Sequence, residues 1–423
     1  MKIKLIRKSY DEVAKMPSPK RKKPKRQWFL LSTLVRIICI PTYLSTRFKV
    51  KKINMDKLKR NQPYLILMNH SSFTDMKLIF KMLYPRRFNI VATEDALVNQ
   101  EWLLRSLGCI PTKKFVNDPS LVKDMMYVAK HYKCPIVMYP EAGYSFDGTS
   151  VALPNTLGKL MKLLKIPVVF VNTSGAFLRD PLYNGLQIRK VKITATMDYA
   201  ITPEDIQNKS VEELNAIVKS YFSFDAFKEQ QEKQIEVKEK FRADKLNRIL
   251  YRCSSCGSEG FMIGKGTLLT CTKCNKVHEL TIHGSLKALD GKETFTHIPD
   301  WVNYQREEVR KEILDGTYKL DTDVDIYIIK NFKSVYHIGE GHLTHTKEGF
   351  HLVDSSKQLD YTHRPDFSYT INSDFNWYEI GDVICIGEKD LYYMIPKNQK
   401  DIVCKARLAA EEIYKLVTEN KNA

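Results

Sequence analysis

The sequence predicts an α/β fold, in which a sheet flanked by helices is followed by a small module of paired cysteines and a β-rich region closed by a helix. Three observations carry this. Short apolar runs alternate with helix-period segments from Gln62 to Met197, two Cys-x-x-Cys pairs stand at 253–256 and 271–274, and short alternating runs after Asp300 lead into one last helical stretch. The 423 residues exceed one ordinary domain, and the 43% hydrophobic content suffices for at least one large core. The expected divisions are 1–60, 61–250, 251–285 and 286–423.

The first of these is basic. Residues 1–60 hold 19 Lys and Arg against three acids, so they carry +16 of the formal +18. A charge confined to one arm argues against a basic surface over the whole molecule. After Lys20-Arg-Lys-Lys-Pro-Lys-Arg26 comes an apolar run from Trp28 to Leu44, interrupted by Arg36 and Pro41. It falls short of the roughly 20 clean apolar residues a spanning helix needs. It suits a helix lying in the interface of an anionic membrane, with Trp28 and Tyr43 near the headgroups and the cluster facing acidic lipid. A solvated tail followed by a core helix is the alternative. No segment resembles a cleavable signal peptide.

From Gln62 the pattern changes. Tyr64–Met68, Asn89–Thr93, Pro135–Tyr139, Pro167–Asn172 and Val191–Met197 read as strands, and 75–83, 120–131 and 157–165 as helices. Thr202–Leu250 reads as charged helix, with 228–240 a solvated connector. Beyond the cysteines, Asp325–Ile329, Gly349–Val353 and Val383–Ile386 read as short strands and Asp401–Val417 as the closing helix. That order suits a small barrel or sandwich capped by a helix and resembles a pleckstrin-homology domain. No internal repeat is evident. Nine cysteines, four of them in the two pairs, do not form a secreted disulfide framework and fit a reducing compartment.

The stretch Asn69-His-Ser-Ser-Phe-Thr-Asp75 carries the chemistry. His70 directly follows an apolar strand, and Ser71 or Ser72 stands where a helix is capped, so the imidazole lies at the mouth of the sheet. Asp75 falls in the first turn of the next helix, from which its carboxylate can return to the ring. It would fix the tautomer and stabilise the imidazolium formed when the other nitrogen takes a proton. Such a pair is a general base for a hydroxyl nucleophile. In isolation, a histidine near an aspartate is more often structural.

Three further segments accompany it. Asn69, His70, Ser72 and Asp75, then Gly108-Cys-Ile-Pro-Thr-Lys-Lys114, then Tyr139-Pro-Glu-Ala-Gly-Tyr-Ser145, then Ile166-Pro-Val-Val-Phe170 together resemble, in order, the motifs of the glycerophosphate and lysophosphatidate acyltransferase family. The resemblance spans about residues 60–175. It implies an acyltransferase-type sheet, with His70 as the base that deprotonates the acceptor hydroxyl and Asp75 orienting it. Asn69, Ser72, Gly108, Lys113, Lys114, Glu141, Ala142 and Gly143 would bind substrate. The implied donor is an acyl thioester, acyl-coenzyme A or acyl-carrier protein, and the implied acceptor is lysophosphatidate at the cytoplasmic face of a membrane. The chain departs from the pattern where Lys113 or Lys114 stands for an Arg, Ala142 for a Gly and Tyr144 for the third motif's Arg. Lysine offers a point charge without the guanidinium fork, which opens the question of the acceptor headgroup. Glu141 cannot attract a phosphate, so it accepts hydrogen bonds from loop backbone or acceptor.

Cys253, Cys256, Cys271 and Cys274 have the two-knuckle spacing of a zinc ribbon, a closed and therefore structural site. A redox dithiol pair is the competing reading. His278 is expected on the surface or in the hairpin, and His337, His342, His345 and His351 show no metal spacing. Three functions follow: acyl transfer to lysophosphatidate, giving phosphatidate; acyl transfer to glycerol 3-phosphate, another lysophospholipid or a glycolipid; and, from a different class, nucleic-acid binding. The last is disfavoured because the ribbon lacks the basic and aromatic interleaving of a strand-binding surface.

Overall fold

The structure is a computed structural model that describes residues 3–116, 118–292, 294–397 and 401–422. The chain forms two compact units: Lys20–Pro181 with Leu186–Ala226, and Met1–Pro19 with Leu182–Gly185 and Phe227–Ala423. The expected arm of residues 1–60 is therefore divided. Its first residues form β1 (Leu5–Arg7) and α1 (Tyr10–Ala14) in the second of these units. The basic run belongs to the other unit and is held there, with Arg21 paired to Asp124, Lys22 to Glu101, and the Pro24 carbonyl accepting from the Tyr132 hydroxyl.

In that unit the apolar stretch folds as α2 (Phe29–Ile38) and α3 (Ile40–Ser45), broken at Cys39 with Pro41 at the start of α3. The sheet and its helices follow as β2 (Lys49–Ile53), β3 (Leu65–Met68), α4 (Asp75–Leu83), β4 (Asn89–Thr93), α5 (Glu101–Ser106), β5 (Cys109–Thr112), α6 (Pro119–Tyr127), β6 (Ile136–Met138), α7 (Leu157–Leu164), β7 (Val168–Ser174), α8 (Ala176–Arg179) and β8 (Thr194–Ile201). The strand order is β2-β8-β7-β3-β6-β4-β5; every pairing is parallel except β7 with β8. All four residues of β3 are buried, as a central parallel strand covered on both faces requires. Leu65, Leu67, Ile136, Val168 and Phe170 pack with Met125 of α6 and Met161 and Leu164 of α7. Lysines 49, 51 and 52 line the edge strand β2, where charge discourages a further strand from adding.

Two helical expectations are corrected. The helix of 120–131 is α6 followed by a π-turn over Val128–Tyr132. The long charged helix of 202–250 is three short ones, α9 (Pro203–Asn208), α10 (Val211–Tyr221) and α11 (Ala226–Glu232), with residues 233–250 largely irregular. The helix stops because the later backbone bonds elsewhere: Val237 N–H donates to Ile282, Ala243 to Gly266 and Lys245 to Gly264. Within 228–240, read as a solvated connector, only Gln230 and Val237 are buried, whereas Leu246, Ile249 and Leu250 beyond it are buried.

The other unit contains the cysteine module, an antiparallel sheet in the order β12-β11-β10-β9 formed by β9 (Met262–Lys265), β10 (Leu268–Cys271), β11 (Val277–Leu280) and β12 (Leu286–Ala288). A helix absent from the sequence reading comes next, α12 (Ile298–Leu314), which buries Trp301, Gln305, Val309 and Ile313 along one stripe. The β-rich region contains β13 (Leu320–Ile329), β14 (Val335–Thr346), β15 (Gly349–Asp354), β16 (Asp360–His363), β17 (Asn372–Trp377), β18 (Gly381–Gly387) and β19 (Leu391–Pro396). Its order β16-β15-β14-β13-β19-β18-β17 is two antiparallel meanders joined by β13 and β19, with β1 added parallel to β14. The closing helix is α13 (Ile402–Asn422), and Arg306 of α12 pairs with its Glu411 and Glu412.

Candidate active site

The parallel strands β3, β4, β5, β6 and β7 run in one direction, so the first three motifs picked out in the sequence leave the sheet at the same edge, the carboxyl edge where ligands of α/β sheets bind, whereas the fourth, at 166–170, enters β7 at the opposite edge. β3 delivers Asn69 and His70, and β6 delivers Tyr139 to Ser145 beside it. Their backbones are tied together: the His70 N–H donates to Glu141 Oε1 at 2.9 Å, the Ser145 N–H donates to the His70 carbonyl at 3.1 Å, and Glu141 Oε2 accepts from Val151 N–H at 3.1 Å. Glu141 is fully buried. It accepts from loop backbone, which fixes the strand-to-helix bend that carries His70.

Asp75 returns from α4 to the imidazole. His70 Nδ1 lies 3.1 Å from Asp75 Oδ2, which also accepts from the backbone N–H groups of Ser71 at 2.7 Å and Ser72 at 3.0 Å. With Nδ1 donating to a carboxylate, Nε2 is left as the acceptor nitrogen. Asp75 is buried, whereas His70 keeps 19% of its side chain exposed, so solvent or substrate can reach the ring. The imidazole stacks on Tyr139 at a centroid distance of 4.1 Å and meets the tilted ring of Tyr144 at 4.2 Å.

Several residues expected to touch substrate make bonds or turns within the scaffold. The Asn69 amide bridges β3 to β7, its Oδ1 accepting from Thr173 N–H at 2.8 Å and its Nδ2 donating to the Thr173 carbonyl at 3.3 Å. Ser72 Oγ accepts from Thr74 N–H at 3.1 Å in a turn ahead of α4, whose N-cap is Thr74 and not the expected Ser71 or Ser72. Gly108 has φ +88°, and a Cβ there would stand 2.7 Å from the Phe88 carbonyl; the position demands glycine for the turn into β5. Ala142 sits at φ +53°, in the left-handed region that favours glycine, while a Cβ at Gly143 would meet open space. Lys113 and Lys114 follow β5. Two strands, β6 and β4, separate β5 from β3, so the β3 and β5 axes are about 14 Å apart at the usual strand spacing. Lys114 Nζ lies 3.8 Å from Asp95 Oδ2.

Asp180, just after α8, escaped the sequence reading because it lies 105 positions from Asp75. Its buried carboxyl accepts from Thr74 Oγ1 at 3.2 Å, and Ser72 also bonds to it. Burial pushes it up to about 7; the neighbouring Asp75 charge adds to the rise, and the Ser72 and Thr74 hydroxyls and Arg179 oppose it.

The four module cysteines converge. Their sulfurs all lie within 4.8 Å of one another, with Cys253 to Cys274 at 3.7 Å and Cys256 to Cys271 at 3.8 Å. A tetrahedral site with zinc–sulfur bonds of about 2.3 Å puts the sulfurs about 3.8 Å apart, so the donor set fits a structural zinc ion. The cysteine turns are preformed: Gly257 N–H donates to the Cys253 carbonyl and Cys271 N–H to that of Lys276. His278 is in the hairpin as expected but buried, its ring edge-on to Trp301 at 5.0 Å, and not at the surface. His337, His342 and His351 pair with aspartates, and His345 bonds to Tyr318.

A buried carboxylate beside a partly exposed imidazole at the carboxyl edge of a parallel sheet is the arrangement that general-base activation of a hydroxyl nucleophile requires. Residues 49–174 match the family model described as Acyltransferase, and this chain carries a domain of that family. Among solved structures it is similar to the 1-acyl-sn-glycerophosphate (LPA) acyltransferase PlsC of Thermotoga maritima, at 15% identity and a TM-score of 0.36, over 45% of this chain and 76% of that one. No curated protein matches.

Proposed function

We propose that the protein transfers a fatty acyl group from an acyl thioester, acyl-coenzyme A or acyl-carrier protein, to the free hydroxyl of 1-acyl-sn-glycerol 3-phosphate, giving phosphatidate. The observation that carries this reading is the 3.1 Å approach of His70 Nδ1 to Asp75 Oδ2 inside the acyltransferase domain. Nε2 of His70 takes the acceptor's hydroxyl proton as the oxygen bonds to the thioester carbonyl carbon. The thiolate leaves and receives that proton from the imidazolium. Ser72, two places after the histidine, is the sequence feature that favours lysophosphatidate. Tyr144, in place of an arginine, favours a second reading in which another lysophospholipid or glycerol 3-phosphate is the acceptor. A panel of these acceptors with one acyl donor, run with wild type and His70→Ala, tests both readings. Lysophosphatidate giving no product would reject the first.

Work at a membrane surface is part of the same proposal. No helix among the described residues is long and apolar enough to cross a membrane. Yet Leu30, Leu34, Ile37 and Ile38 of α2, with Leu44 of α3, are exposed, while the buried side chain on α2 is Ser32. An amphipathic helix with its apolar face outward suits insertion to the depth of the headgroups, and Lys20, Lys23, Lys25 and Arg26 stand exposed ahead of it for anionic lipid. Phe73, in the His70 loop, is exposed as well.

A further inference from the structure

His70 is held by more than its aspartate. Tyr139 leaves the end of β6 and stacks on the imidazole with planes 20° apart, and Tyr144, five residues along the same loop, meets it with planes 38° apart. The Glu141 and Ser145 bonds to the His70 backbone clamp this loop against the histidine, so the rings cannot drift from the imidazole independently. An aromatic face is electron-rich and attracts a cation above it. The imidazole becomes such a cation only when it has taken the acceptor's proton.

We infer that Tyr144 is a positioning residue for acyl transfer: its ring fixes the imidazole plane and stabilises the imidazolium formed as the acceptor hydroxyl is deprotonated. The inference rests on His70 being the base. A ring that stabilises the imidazolium more than the neutral imidazole favours the transition state over the ground state, so it acts on kcat. The other groups facing the histidine are Asp75 from α4 and Tyr139 and Glu141 from the loop after β6, while Asp180 reaches the histidine loop through Thr74. These remain in a Tyr144 variant, so a change in pH response isolates the ring.

The test compares Tyr144→Leu with Tyr144→Phe, and Tyr144→Met with Tyr144→Trp as a second pair should the first leucine variant fold poorly. Each is assayed on vesicles with lysophosphatidate across pH, with melting temperature as the folding control. Removal of the ring is expected to lower kcat roughly tenfold with the acceptor KM unchanged, and to move the acid limb of kcat/KM to lower pH, because the imidazolium has lost a stabilising face. The ring-retaining variants are expected to keep both wild-type values. Wild-type kcat and acid limb in Tyr144→Leu would overturn the inference, as would an equal loss in Tyr144→Phe, which would assign the effect to the hydroxyl. His70→Ala in the same assay separates the two claims: activity retained there rejects the base assignment itself, whereas activity lost there with Tyr144→Leu unaffected rejects only the role of the ring.

Discussion

Asp75 gathers His70 Nδ1 and two backbone N–H groups at one carboxylate oxygen, and its other oxygen is buried without a hydrogen-bond partner. The aspartate is therefore fixed by the bend it stabilises, and the histidine is fixed in turn. Asp180 sits behind this bend and brings a pH dependence. Its folded value of about 7 lies above that of an unfolded aspartate, so the folded state binds the extra proton between about pH 4 and 7. Asp180's contribution to stability is thus fully present below the unfolded value and is lost as pH rises through 7. Asp180→Asn keeps an oxygen for the Thr74 hydroxyl and removes the titration; urea melts at pH 5 and pH 8 are expected to show the variant gaining relative to wild type at the higher pH. An unchanged difference between the two pH values would count against a buried, protonated Asp180. At Ala142 the left-handed backbone strains an L side chain, so Ala142→Gly is expected to raise the unfolding free energy by about 0.5–1 kcal/mol in the same melts. The closeness of His70 and Asp75 was legible from spacing, since both lie within one strand-to-helix turn, but their catalytic reading came from the motifs that accompany them. Asp180 and the stacked tyrosines were not legible, because their closeness to His70 depends on how distant segments pack.

At the scale of elements, the runs with one clear burial pattern read correctly. The buried strand β3 and the helices at α4 and α7 fall within a residue of the sequence expectation. α12 was missed because Gln305 occupies its buried stripe, its amide donating to the Ile249 carbonyl and its carbonyl oxygen accepting from Arg252 N–H, so the apolar period is broken in sequence but not in packing. β5 read as part of a motif whose lysines would bind substrate; the strand order places Lys113 and Lys114 three strand spacings from β3, a separation no local pattern encodes. α2 makes a direct prediction. Leu34→Glu with Ile38→Glu changes exposed positions only, so the melting temperature should stay within a degree or two while sedimentation with anionic vesicles falls at least tenfold. Undiminished vesicle binding would remove this helix as the membrane contact. The cysteine module makes another: the purified chain is expected to carry about one zinc per molecule, and a strong chelator or Cys256→Ser with Cys274→Ser should abolish it and lower the melting temperature. A full complement of zinc in that double variant would contradict the four-sulfur site.

For the whole molecule, the acyltransferase family match covers residues 49–174, while the cysteine module, the two meanders and β1 share the other compact unit. The two units divide between Ala226 and Phe227, whereas the sequence division falls at 250; residues 233–250 look like charged helix in composition but bury Leu246, Ile249 and Leu250 beside the module's backbone. Nor was it legible that the chain's first residues would join β14, because three residues of strand carry no periodic signal. The basic arm read as an electrostatic feature; the structure ties part of it down through Arg21 and Lys22 and leaves other lysines exposed. The central claim is that this scaffold uses His70 to activate a lysolipid hydroxyl toward an acyl thioester. It is tested most directly by following labelled acyl transfer from acyl-coenzyme A and from acyl-carrier protein to lysophosphatidate on anionic vesicles, with wild type and a folded His70→Ala variant side by side. Labelled phosphatidate is expected from wild type with at least one donor, with a loss of at least a thousandfold in the variant, which still binds the vesicles. Phosphatidate formed at the wild-type rate by His70→Ala would contradict that claim.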